Sequence, residues 1–114
     1  MKILNPLLFS VLSAAGCATV VPTEKVAAAD SSIRAAEELG APKVPQAALH
    51  LQLAKEEIAH AEKLIKDGEP KRAEGILLRA QADAELAVAE AREAPMKVEA
   101  QQEMEKARAL KQTL

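Results

Sequence analysis

From Val26 onward the apolar positions recur at steps of three and four, the period of one face of an α-helix. Val26, Ala29, Ile33 and Ala36 make a first face. Ala47, Leu51, Ala54, Ile58, Ala61 and Ile65 make a second, which Leu49, Leu53 and Leu64 widen to the stripe of a helix with more than one neighbour. Ala73, Leu77, Ala80, Ala84, Ala87, Ala91 and Ala94 make a third, flanked by Ile76, Leu86 and Val88. A weaker stripe of Met96, Ala100, Ala107 and Leu110, interrupted by Glu103, carries on toward the C-terminus.

The punctuation between these stripes sets the elements. Thr23 reads as an N-cap, with Glu24 placing negative charge in the first turn. Gly40 suits the left-handed residue that closes a helix, and Pro42 and Pro45 keep the chain from restarting early. Pro45 and Pro70 each suit the first position of a new helix, and Lys66-Asp67-Gly68 ends the one between them. Pro95 ends or kinks the third helix, because it cannot donate to the carbonyl four residues back. The pattern predicts helices over about 24–39, 45–66, 70–94 and 96–112. The second and third are joined so tightly that they must be antiparallel neighbours. No alternating β-branched run is present. The fold class is all-α: an antiparallel helical hairpin or a small three- to four-helix bundle with coiled-coil-like seams.

The third seam is mostly alanine, which lets backbones approach closely but buries little area per residue. Gly75 lies inside that helix at a cost of about 1 kcal/mol against Ala, with no local reason in the sequence. Glu62 and Lys66 are spaced for a solvent-side ion pair.

The N-terminus follows a different grammar. Lys2 is a short positive region, Ile3 to Leu12 an apolar one, and Ser13, Ala14, Ala15 and Gly16 are small residues leading to Cys17. This is the pattern of a secretory signal peptide, too short to remain as a membrane span. Ala14, Ala15 and Gly16 before Cys17 resemble a bacterial lipobox, in which cleavage precedes the cysteine and its thiol takes up diacylglycerol. Ala14 departs from the commonest Leu at that position. Cys17 is the only cysteine, so no intramolecular disulfide competes for it. By the sorting rule of Gram-negative lipoproteins, Ala18 in place of Asp implies the outer membrane. The expected organisation is a signal peptide over 1–16, a lipidated N-terminus and linker over 17–22, and a helical periplasmic domain over 23–114. The linker limits the stand-off from the lipid to less than ~20 Å.

Removal of residues 1–16 leaves about 98 residues, enough for one small domain. The one aromatic residue, Phe9, leaves with them, and about a quarter of the remainder is alanine. Without aromatic rings no bases can be stacked, and a formal charge of −2 disfavours a nucleic-acid partner. His50 and His60 are ten apart on one helix, not the three or four of a helical metal pair. Both read as surface residues. Glu37-Glu38 and Glu56-Glu57 lie on polar faces among lysines, where no desolvation prepares a general acid. Ser31 and Ser32 have no glycine-flanked elbow, Lys71-Arg72 is too small a cationic cluster to specify a phosphate, and no glycine-rich loop exists. The expectation is a protein without catalytic residues, metal or cofactor.

Leu51-Gln52-Leu53-Ala54-Lys55-Glu56-Glu57-Ile58 before a Lys-Asp-Gly turn, then Arg72-Ala73-Glu74 and Ala82-Asp83-Ala84-Glu85-Leu86-Ala87, resemble the Ala-rich helical hairpin of the bacterial domain-of-unknown-function family DUF4398. The resemblance runs from Pro45 to Arg92. It implies an envelope lipoprotein with a helical domain, often followed in that family by an OmpA-like peptidoglycan-binding domain. Here Glu69-Pro70 replaces the family's aromatic turn, and no OmpA-like sequence precedes Leu114, so peptidoglycan binding is not carried over. Nor is a covalent link to peptidoglycan, since Leu114 stands where a terminal lysine is needed.

These readings converge on a non-enzymatic outer-membrane lipoprotein serving as a helical envelope adaptor or scaffold, with an envelope protein or a second copy as partner. The alternatives are a self-associating coiled-coil spacer and a tetratricopeptide-like peptide binder, the latter short of that repeat's aromatics. Leu49, Leu53, Leu64 and Leu78 are the expected partner surface, left partly exposed by the small core.

Overall fold

The computed structural model describes residues 20–114. The assignments made for Ala14, Ala15, Gly16 and Cys17 lie outside the described residues. Three α-helices account for most of the rest: α1 Thr23–Glu38, α2 Pro45–Lys66 and α3 Pro70–Thr113, with a single 3₁₀ turn at Ala41–Lys43 between the first two. No strand occurs among the described residues.

The helix ends use the residues that the punctuation marked, with one exception. Gly40 has φ 82° and Gly68 has φ 81°, the left-handed conformation that L side chains resist. At Gly68 the Schellman pattern is complete, with Gly68 N–H donating to the Ile65 carbonyl at 3.1 Å and Glu69 N–H to that of Leu64 at 2.8 Å. Pro45 and Pro70 open α2 and α3. The exception is Thr23, which lies in the first turn of α1. Pro22 holds the cap position, without a side-chain cap, and its carbonyl accepts from Lys25 and Val26.

The core is a cluster of sixteen buried apolar side chains, eleven of them alanine. The second and third seams supply most of it, from Ala47 to Leu64 on α2 and from Ala73 to Ala91 on α3. Ala29, Ile33 and Ala36 bring in α1, which packs chiefly against α3. Only Ile33, Leu51, Ile58, Leu64 and Leu77 of this cluster are larger than alanine, and among the described residues Leu77 is the one large side chain that is fully buried.

One expectation fails at Pro95. The two last helices are a single one, continuous from Pro70 to Thr113 with Pro95 inside it. The reason lies in where the proline sits. The last buried residue of α3 is Ala91, so Pro95 falls just after the helix leaves its neighbours, where no packed side chain resists a local adjustment. From Pro95 to Leu114 every residue is exposed. Of a helix roughly 66 Å long, at 1.5 Å per residue, the second half projects as an unsupported arm.

Direction follows from the side-chain pairs. Lys25 near the start of α1 meets Glu74 near the start of α3 at 3.3 Å, and Glu37 near the end of α1 pairs with Lys55 midway along α2. α1 is therefore parallel to α3 and antiparallel to α2. The N-terminal start of α1 shares one end of the bundle with the α2–α3 turn, and the arm leaves from the other.

Candidate functional site: exposed helix faces and an interhelical polar cluster

The four leucines expected to form a partner surface do not lie together. Leu49 and Leu53 are 58% and 38% exposed, and each sits two residues from Leu51, about 200° around α2 from that core residue. Leu78 is 55% exposed on the outward face of α3, one residue past buried Leu77. Leu64 is only 7% exposed and belongs to the core. It follows His50 and Glu57 at seven-residue steps along α2, which puts it on the flank turned toward α3, beside the tight turn that joins the two helices. The exposed apolar residues thus occupy separate outward faces of α2 and α3. Leu86 adds to them on α3, and Met96, Val98, Met104 and Leu110 continue along the arm.

That same α2 flank carries an arrangement that single-helix spacing did not reveal. His50 is half-buried, with Nδ1 3.1 Å from an Asp83 oxygen and Nε2 3.7 Å from a Glu90 oxygen. One turn-pair further along, Glu57 accepts from Arg79 at 2.9 Å. Asp83 and Glu90 are also seven apart, so two heptad pairs on antiparallel helices interlock as a ladder. Burial pushes the Glu57 carboxyl above its ordinary value of 4.5, and the negative charge of Asp83 pushes the same way, against Arg79. One oxygen each of Glu57 and Glu90 is buried without a hydrogen-bond partner. The ladder therefore aligns the two helices without satisfying every acceptor. The expectation that His50 is a plain surface residue is corrected by this contact, whereas His60 is exposed. The signal was present in sequence as facing i, i+7 pairs, but reading it requires the register that the Lys66–Pro70 turn imposes.

Elsewhere the polar contacts are exposed pairs. The pair expected between Glu62 and Lys66 does not form; Lys63 instead binds Asp67 at 2.8 Å. Glu62 and Lys66 line a shallow groove between α1 and α2 with Thr23, Val26, Asp30 and Ile65. Among the described residues no group of three His, Cys, Asp or Glu side chains is arranged to hold a metal ion, and no helix is long and apolar enough to cross a membrane.

Residues 24–103 match the family described as Domain of unknown function (DUF4398). The match spans more than half of the chain, and the chain belongs to that family. No curated protein and no solved structure matches it.

Proposed function

We propose that the protein is a non-enzymatic lipoprotein of the bacterial outer membrane, anchored through Cys17, whose helical domain works in the periplasm as an adaptor. The observation that carries this reading is the polarity of the bundle. The described chain enters at Val20, beside Glu74 and the start of α3, at the end opposite the arm. A lipid on Cys17, three residues earlier, would hold that end at the membrane. α3 would then present its projecting half up to roughly 66 Å away, at 1.5 Å per residue. The exposed apolar faces of α2 and α3 supply surface for an envelope protein. Several acyl chains on one cysteine make such attachment stable, since each buried CH₂ contributes roughly 0.8 kcal/mol.

The test is the intact mass of the protein from native membranes, with cross-linking in the same fraction. A mass beginning at Cys17 with added acyl chains supports the anchor, and an envelope protein cross-linked to the arm or to the Leu49 face supports the adaptor. A free Cys17 thiol sinks the anchor and the outer-membrane assignment with it.

A further inference from the structure

The arm of α3 has an apolar face that the bundle does not use. Met96, Ala100, Met104 and Ala107 fall within about 80° of one another around the helix axis, and Met96 is about 140° from the last core residue, Ala91. The core seam does not continue into the arm, since Gln101, Gln102 and Glu105 occupy its line beyond Val98. A new stripe opens instead on the opposite side, exposed along its whole length.

Two charges frame it, Glu93, which also pairs with Lys97 of its own helix at 3.1 Å, and Lys111. Glu93 and Lys111 are eighteen residues apart, about five helical turns, and so share one line along the helix. We infer that the arm pairs antiparallel with the arm of a second copy of this chain, about a centre at Gln102. In that register each Glu93 stands opposite Lys111 of the other copy, and each Ala100 opposite Met104, small against large. A parallel, in-register pair would set Glu93 on Glu93 and Lys111 on Lys111, and like charges at such positions are destabilising. Glu103 lies beside the centre and is already paired with Lys106 of its own chain at 2.7 Å. From Pro95 to Leu114 no residue is covered by α1 or α2, so the arm is open along the overlap. An overlap of roughly 30 Å of helix buries about 1,000 Å², the low end for a specific interface, and sets the expectation of a reversible dimer. This inference does not depend on the lipid anchor or on an envelope partner.

Charge reversal in the full chain, in a non-ionic detergent, reads the register by sedimentation equilibrium at protein concentrations up to about 100 μM. Lys111→Glu turns two attractive pairs into two repulsive ones, which should weaken association by about 10- to 30-fold. Glu93→Lys should do the same. The double variant Glu93→Lys/Lys111→Glu restores both pairs and should return the wild-type dissociation constant. Unchanged circular dichroism in all three ties the effect to the interface. A wild-type chain monomeric throughout that range overturns the inference, and so does a double variant no better than the singles.

Discussion

Leu77→Ala tests the core directly. Leu77 is fully buried, and eleven of the sixteen core residues are alanines, which have no side chain that can swing into a vacated space. Removing three carbon groups from the interior costs about 2.4 kcal/mol of transfer free energy at 0.8 kcal/mol each. The residual cavity adds about 1 kcal/mol or more, because collapse is limited to rigid-body helix shifts. The expected loss is about 3–4 kcal/mol, a large part of the stability of a domain this size. The chain has no Trp or Tyr, so the assay is urea unfolding followed by far-ultraviolet circular dichroism. The matched control is Leu49→Ala on the outward face of the neighbouring helix, expected to change stability by less than about 0.5 kcal/mol. Equal losses at the two positions would refute the orientation of the seam.

Pro95→Ala returns one amide to the Ala91 carbonyl and removes a penalty of about 3 kcal/mol, but only for the arm. Hydrogen exchange should slow over 96–113 while the unfolding midpoint of the bundle stays put; a midpoint shift of full size would mean that arm and bundle unfold together. Leu53→Asp should abolish cross-linking to an envelope partner without loss of helicity, and a collapse of helicity would place Leu53 in the core instead. The Glu57 carboxyl is raised above its unfolded value, so its protonated form is the one that folding favours. Stability should rise as pH falls from neutral through the folded value toward 4.5, and Glu57→Gln should flatten that rise in urea midpoints taken across this window. Gly75→Ala should stabilise by about 1 kcal/mol, since Gly75 is exposed and an added Cβ meets nothing within 4 Å.

Most of the core was legible because each helix carries its seam at helical period, from Ala47 through Ala61 on α2 and from Ala73 through Ala91 on α3. Such periodicity reports burial against any neighbour and is silent about which neighbour. That is why Leu64 could be assigned to an exposed face: its place depends on the α2–α3 crossing beside Gly68. The His50–Asp83–Glu90 contact was hidden for the same reason. Pro95 misled because the rule against proline within a helix weighs a lost hydrogen bond without asking whether the site is packed. The exposed faces remain less legible than the core, since an outward leucine such as Leu78 looks the same in sequence whether water or a partner covers it.

The parallel docking of α1 on α3 has a consequence for how the chain folds. The α2–α3 hairpin closes through a three-residue connection, so its contacts form at little loop-closure cost. α1 reaches its place on α3 only across all of α2, as the sequence separation of 49 between Lys25 and Glu74 measures. It contributes three of the sixteen core side chains, two of them alanine. The hairpin is therefore the early, slow-exchanging unit, and α1 is the late one that detaches first near equilibrium. In a chain made from its N-terminus, α1 must wait for α3 before the larger part of its docking surface exists.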